Sequence, residues 1–493
     1  MSDLQRLTNY QVSDQESNME IRTNRLDPIV SSATRYTFRL DTSSYIDRNS
    51  MLVFKLHSSA AADNNCRVNC LSGALAAIKS VEFQIGDFQV QKISNVNKWA
   101  TMNHVLSRSP QVQNKKLSHY LHNALDIEVQ TEAGGTNPEL TGVLRPSNAT
   151  SGINYGTPTT GGGAAINSQK LSQNATSNQQ VGIPLGMLLP VLEGRDLPTF
   201  LFTNYKVHLT IEFESDCGIY ANNITKNNYA GNETLRASAG EVLISDVELL
   251  VDELILPARV QNAILEETAK EGGYQITYLG VDNIKKTINA GTANVEQSIE
   301  HRLNLSNQEL HYIQFLKQLP DETNNKVVCG MGCDAVSLQE VQFNVNGVDI
   351  YPAGFVENPV ELYNNVSYNL GRDLQVVKPF YVKDPATCAS LLSPPQLGLL
   401  GKYSPICLDL KNGEPAIRGG GRFIGEYPVR VLYKRKPVAA TTSTWFNGGA
   451  GNNVVICNDE TGTLNCDYFL GLTRIVNVKT LPNGSQNVVV SNM

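Results

Sequence analysis

Residues 78–85 read IKSVEFQI and residues 338–345 read LQEVQFNV. At a constant offset of 260, Ile78, Val81, Phe83 and Ile85 fall on Leu338, Val341, Phe343 and Val345. From the valine onward the apolar residues recur at every second position, the pattern of a strand with one buried face. A turn signal follows each run: Gly86-Asp87 in the first, Asn346-Gly347 in the second. Asn-Gly between alternating apolar residues specifies a tight hairpin, because both central residues must take positive φ. A helical stretch follows each hairpin, 95–107 (NVNKWATMNHVLS) and 358–369. A matched strand, turn and helix point to a duplicated domain.

A second pair of segments supports the duplication. Leu185-Gly186-Met187-Leu188 resembles Leu397-Gly398-Leu399-Leu400. These lie 100 residues beyond the first anchor in one half and 52 in the other. The difference is close to the length of residues 131–182, where 28 of 52 positions are Gly, Asn, Thr or Ser. The halves therefore differ mainly by one long loop.

Alternation dominates elsewhere too, in Tyr36-Phe38-Leu40, Leu52-Phe54-Leu56, Val207-Leu209-Ile211-Phe213 and Val429-Val431-Tyr433. Helical patterns are few, and ARVQNAILEETAK at 258–270 is the clearest. The expected fold is all-β with short connecting helices and long polar surface loops. The division expected is an N-terminal arm at 1–29, a first barrel at 30–256 with loops 131–182 and 216–240, a linker helix at 257–271, a second barrel at 272–482 with an insert at 441–466, and a C-terminal tail at 483–493. The arm is polar and its charges nearly balance, so it lacks the basic run of a genome-binding tail.

Composition narrows the function. Of the 493 residues, 41% are hydrophobic and 18% charged, with a net charge of −7. The charged share lies below the usual ~25%. A strongly basic nucleic-acid binder is disfavoured. No basic start leads into an apolar run, so no secretory signal is expected, and no run of ~18 apolar residues suggests a membrane-spanning helix. Nine cysteines, an odd number spread thinly, suggest reduced thiols in an intracellular setting. Asn148-Ala149-Thr150 and Asn232-Glu233-Thr234 are then expected to stay unglycosylated.

Enzyme chemistry needs a convergent set of groups. The sequence has no Gly-x-Ser-x-Gly elbow and no phosphate-binding Gly-x4-Gly-Lys-Ser/Thr loop. Gly419-Gly420-Gly421 reads as a turn before a strand at 423–434. His119 and His122 could share a helix face but have no acidic or Cys partner at a metal-binding spacing, so they read as surface or interface histidines. Cys66 with Cys70 and Cys329 with Cys333 precede the repeated hairpin in each half. Their spacing is not the usual Cys-x2-Cys of zinc sites, and buried or loop thiols are expected. Asp252-Glu253 and Glu266-Glu267 read as solvated charges. No catalytic, cofactor-binding or metal-binding residue is expected, and no cofactor.

Three further segments carry a family resemblance. They are ALAAIKSVEFQIGD at 74–87, IPLGMLLPVLEGRDLPTFLFTNYKVHLTIEFES at 183–215, and the stretch 245–280, where VDELIL ends a strand and VQNAILEETAKEGGYQITYL forms a helix and a re-entry strand. In order and spacing they resemble the major capsid proteins of double jelly-roll dsDNA viruses, most similar to those of Polinton-like viruses and virophages. The resemblance covers roughly 30–437 and extends towards 482. It implies two consecutive eight-stranded jelly-roll barrels, a homotrimeric pseudo-hexagonal capsomer, and an icosahedral shell. It also implies neighbouring capsomers, penton and minor or cement proteins as partners, no sequence-specific nucleic-acid binding, no enzymatic activity, and location in the virion capsid assembled inside the host cell. Two alternatives stay open. One is a β-sandwich carbohydrate-binding (lectin-like) or virion surface attachment protein, which needs exposed aromatics although only Trp99 and Trp445 are tryptophans. The other is a cupin-type metalloenzyme, which needs clustered histidines among seven scattered ones.

Overall fold

A computed structural model describes residues 20–59, 66–68, 72–106, 180–193, 196–223, 237–270, 273–318, 338–351, 354, 406–410, 421–437, 441–443, 454–457, 461–480 and 486–492. Among the described residues, two sandwiches share the same eight-strand plan, with further short strands at their margins. The first holds β1 (Glu20–Leu26), β2 (Arg35–Leu40), β3 (Met51–Ser58), β4 (Ile78–Ile85), β5 (Phe88–Ser94), β6 (Gln180–Pro184), β7 (Val207–Phe213) and β8 (Val242–Ile255). The second holds β9 (Tyr274–Ile288), β10 (Gln297–Leu303), β11 (Gln308–Gln318), β12 (Leu338–Val345), β13 (Val348–Asp349), β14 (Ile406–Asp409), β15 (Val429–Arg435) and β16 (Leu464–Thr480).

The first sandwich pairs β1–β8–β3–β6 in one sheet and β2–β7–β4–β5 in the other; the second pairs β9–β16–β11–β14 and β10–β15–β12–β13. The two orders are the same with every strand number raised by eight. All these pairings are antiparallel.

The duplicated anchor explains itself at the level of register. Opposite β7, the ladder passes from Glu212↔Ser80 to Phe213↔Ile78 and skips Lys79. Opposite β15, it passes from Leu338↔Arg435 to Glu340↔Lys434 and skips Gln339. Both halves bulge at the same position, which is how Ile78 and Val81, three apart, both point inward and are buried. The second hairpin turns through Asn346 and Gly347, both at positive φ as its tight turn requires.

Aromatic side chains fill the space between sheets. In the first sandwich the rings of Phe54 and Tyr36 meet Phe213 edge-on. In the second, Phe315 stacks on Tyr468 with centroids 4.6 Å apart, and His301 caps Tyr468 with Nδ1 2.7 Å from its hydroxyl. Helix Ala258–Lys270 joins the sandwiches. Its start follows Pro257, whose carbonyl accepts from Val260 and Gln261, and its end is sealed by Gly273 N–H donating to Thr268 O. Ile264 packs it on Tyr45, Phe200 and Leu201.

Several expectations need correction. Residues 20–26, assigned to the arm, form strand β1 in seven-residue register with β8, from Glu20↔Ile255 to Leu26↔Leu249. Its side chains are exposed or half-buried, so the strand is held by backbone pairing, and hydrophobic patterning cannot reveal it. Residues 486–492, assigned to the tail, form β17 (Gln486–Asn492) beside β16, with Val488 buried. Residues 423–434 are two strands: Arg422–Ile424 pairs with β11, and β15 begins at Val429. Pro428 lies between them and has no N–H for a ladder. Within loop 131–182, residues 180–182 already belong to β6, and within 216–240, Ala221–Asn223 pairs with Cys66–Val68. In the insert 441–466, Thr441–Ser443 pairs with Val454–Cys457. Residues 1–19, 131–179, 358–369 and 397–400 lie outside the described residues.

The two hairpin glycines make a paired prediction. Gly347→Ala meets no atom within 4 Å, so its cost is conformational alone, about 1–2 kcal/mol. At Gly86, also at positive φ, a Cβ would lie 2.6 Å from the Tyr205 ring, so Gly86→Ala costs more. Denaturant midpoints of the two variants against the parent check the order; equal losses would contradict it.

Candidate functional site: the seam between the two sandwiches

Strand β5 is the outer edge of its sheet, and the chain passes from it into a short helix, α1 (Val96–Ala100), then a π-turn over Thr101–Leu106. The sequence reading expected one helix over 95–107, and the widened second half carries Asn103. This edge and helix press on the outer face of β9, β16 and β11. One hydrophobic cluster runs through both sandwiches, and the polar groups of the contact fall into three sets.

The first set satisfies the edge of β5. Tyr278 Oη donates to Val90 O at 2.6 Å, and Arg474 Nη1 donates to the same carbonyl at 3.3 Å. Gln91 Nε2 donates to Val281 O at 2.8 Å. Arg474 is itself paired with Asp282. Val90 and Gln91 are both 0% exposed, so an edge strand that would otherwise offer bare carbonyls is covered.

The second set centres on Asp467 of β16. Lys98 Nζ lies 2.7 Å from Oδ2, Asn95 Nδ2 donates to Oδ1 at 2.8 Å, and Asn283 Nδ2 to Oδ1 at 3.4 Å. Asn95 precedes α1 in a left-handed conformation, φ 52°, a position that tolerates Asn. Burial works to raise the Asp467 carboxyl, but Lys98, Lys285 and the Asn283 bond outweigh it and hold it below the usual carboxylate range.

The third set is aromatic and amide. Trp99 Nε1 donates to Tyr312 Oη at 3.2 Å, both rings being buried. Tyr312 lies flat over Gly471, where a Cβ would stand 2.7 Å from its ring carbon Cζ. Asn103 and Gln314 exchange two amide bonds, at 2.9 and 2.8 Å. Burial pushes the Tyr312 hydroxyl far up and the Tyr278 hydroxyl to about 12, so both keep their protons at any ordinary pH.

The arrangement joins rather than reacts. Most of the polar groups face a neighbour of complementary role, Gln91 Oε1 and Arg474 Nε being buried without a hydrogen-bond partner, and none of the three sets places a nucleophile beside a base. Among the described residues no group of three or more His, Cys, Asp or Glu is placed to hold a metal ion.

The singled-out residues scatter. Cys66 is buried in the short pairing with Ala221–Asn223. Glu266 and Glu267 are exposed on the joining helix. Glu253, read as solvated, is buried beneath β1; burial and Asp41 raise its carboxyl despite the Asn24 bond at 2.5 Å. The reading failed there because β1 was not recognised as its cover. Trp99 is a seam residue, closed to a sugar. His119, His122, Cys70, Cys329, Cys333, Gly419, Gly420 and Trp445 lie outside the described residues. Asp467, Lys98, Tyr312 and Gly471 went unmarked, because only the pairing of β16 with β11 and the docking of α1 on that sheet bring them together.

No protein-family model matches the sequence, and no curated protein matches it. Solved structures do match. The crystal structure of PBCV-1 VP54, fitted into a cryo-EM reconstruction of the virophage Sputnik, aligns with TM-score 0.57 and 10% identity over 98% of this chain and 100% of that one. The Sputnik virophage cryo-EM structure gives 0.52 and 11% over 96% and 88%. The fold is the double jelly roll. The mavirus major capsid protein is similar as well, with TM-score 0.50 and 9% identity over 99% of this chain and 93% of that one. At these identities the double jelly roll is shared through its architecture, with few residues in common.

Two variants test the seam. Asp467→Asn leaves Lys98 without its charge partner, and a loss of about 3 kcal/mol is expected from calorimetry or denaturation. Because the Asp467 carboxyl is held low in the folded state, its contribution is complete above the unfolded value near ~4 and is lost as pH falls through the folded one. The parent should therefore lose more stability than Asp467→Asn between neutral pH and about pH 3. Equal pH profiles would contradict the role. Gly471→Ala should displace Tyr312 and quench or shift Trp99 fluorescence.

Proposed function

We propose that this chain is a major capsid protein, and that three copies form a pseudo-hexagonal capsomer tiling an icosahedral shell. The observation that carries the reading is the seam. It locks two barrels side by side into one wide block, and three such blocks present six barrels around a centre. The likeness to solved capsid proteins, which runs along nearly the whole chain, supports the same reading. The role is structural, with no enzymatic activity. Neighbouring capsomers, penton proteins and minor or cement proteins are its partners, and the virion capsid is its location. The lectin-like alternative loses support because Trp99 is buried in the seam.

Light scattering on the purified protein tests this. A particle of three times the 53.9 kDa chain mass is expected at micromolar concentration and native salt. A stable monomer under those conditions would contradict the proposal, as would particles whose electron micrographs show no six-lobed capsomers.

A further inference from the structure

Glu253 is a buried carboxylate that β1 covers but only half satisfies. It lies near the end of β8 and is 2% exposed, with Ile46 on one side of the ladder and Arg22 of β1 on the other. Asn24 Nδ2 donates to its Oε2 at 2.5 Å, whereas its Oε1 is buried with no hydrogen-bond partner. A buried oxygen without a donor is costly on an anion and much less so on a neutral acid. Two charges bear on the group. Asp41, exposed directly after β2, opposes ionisation, and Arg22, exposed on β1, favours it. Burial and Asp41 prevail, and the carboxyl is held above its ordinary range.

The side chains of β1 hold it weakly. Half-buried Leu26 is its one residue packed against the apolar core. Its side-chain links to β8 are Thr23 Oγ1 donating to Asp252 Oδ1 at 2.6 Å, Arg25 with Glu248 at 3.1 Å, and the Asn24 bond to Glu253. The first is exposed and the Arg25 side chain is 62% exposed, so these two contribute little. Backbone pairing from Glu20↔Ile255 to Leu26↔Leu249 supplies the rest. A strand with so little apolar burial opens locally, at a small fraction of the free energy of global unfolding. A modest change beneath it therefore moves the balance between closed and open.

We propose that β1 is a strap whose closure is controlled by the proton on Glu253. With the proton on, β1 closes over a neutral acid. With the proton off, closure buries an anion with one bare oxygen, and opening returns that anion to water. In the open state the carboxyl is exposed and titrates near the ordinary ~4.3. In the closed state it titrates higher. The stabilisation of the closed strap is therefore complete below about pH 4 and is lost as pH rises through the raised value. The Arg25–Glu248 and Thr23–Asp252 links work in the opposite sense, weakening in acid, and their exposure keeps that effect small. Opening frees the chain up to Leu26 and bares the edge of β8 from Leu249 to Ile255.

Hydrogen exchange of the backbone amides of residues 20–26 in the full chain tests the strap. The rate in the parent is divided by the rate in Glu253→Gln at each pH, which cancels the intrinsic pH dependence of exchange. Gln keeps the shape of Glu253 and cannot ionise. The ratio should rise at least about threefold from pH 5 to pH 8. Asp41→Asn, which removes the charge opposing the ionised carboxylate, should slow exchange of 20–26 at pH 8 relative to the parent. A ratio that stays flat overturns the strap. So does a rise shared equally by the amides of β4, which would report global unfolding. Should Glu253→Gln fail to fold, Asp41→Asn decides alone: exchange at pH 8 as fast as in the parent overturns the proposal.

Discussion

The buried carboxylate of Asp467 is the constraint on which the block depends. It sits in β16, which pairs with both β9 and β11, and it is answered from the other sandwich by Lys98 and Asn95. Taking both charges out of water is costly, and their attraction offsets that cost only when geometry and further hydrogen bonds are in place. Here they are in place only if β5, α1 and the β9–β16–β11 sheet meet in one register. A shift of one residue would turn Asp467 away and strand Lys98. The pair thus contributes orientation more than raw stability, and the apolar cluster that runs through both sandwiches supplies the latter.

The rest of the seam obeys the same constraint. Gly471 leaves the hollow in which Tyr312 lies, and that hollow aims the Tyr312 hydroxyl at Trp99. The Asn103–Gln314 amide pair satisfies both side chains at once. Polar networks in low dielectric reward complete satisfaction and punish partial satisfaction, so they select one docking angle where an apolar contact would accept several. The proposed capsid role calls for that single angle, because an angular error in each block would accumulate across a tiled surface.

Much of the fold was legible because it repeats. The period-two pattern of Val81-Phe83-Ile85 and Val341-Phe343-Val345, with a turn signal after each, carries strand, register and duplication together. Helix Ala258–Lys270 was legible from the pattern ARVQNAILEETAK at 258–270. What escaped lacks such a signal. Strand β1 is held by its backbone, so RTNR at 22–25 looks like any polar arm. Glu253 looked solvated because its cover was missed. The break at Pro428 was masked by apolar residues on both sides. The seam was the least legible part. Its members come from positions 95–103, 278–314 and 467–474, and each alone resembles an ordinary strand or helix residue. The family resemblance gave two consecutive barrels and a linker helix without the side chains that dock one barrel on the other.

The central claim is that the two barrels form one rigid unit, and the distance between them tests it most directly. Spin labels at Ile29→Cys and Val295→Cys place one probe on each sandwich at exposed positions, and dilution with unlabelled chain isolates the distance within one subunit. Pulsed electron-spin measurements should give a single narrow distribution that broadens in Asp467→Asn. A broad or two-peaked distribution in the parent protein would contradict a locked seam.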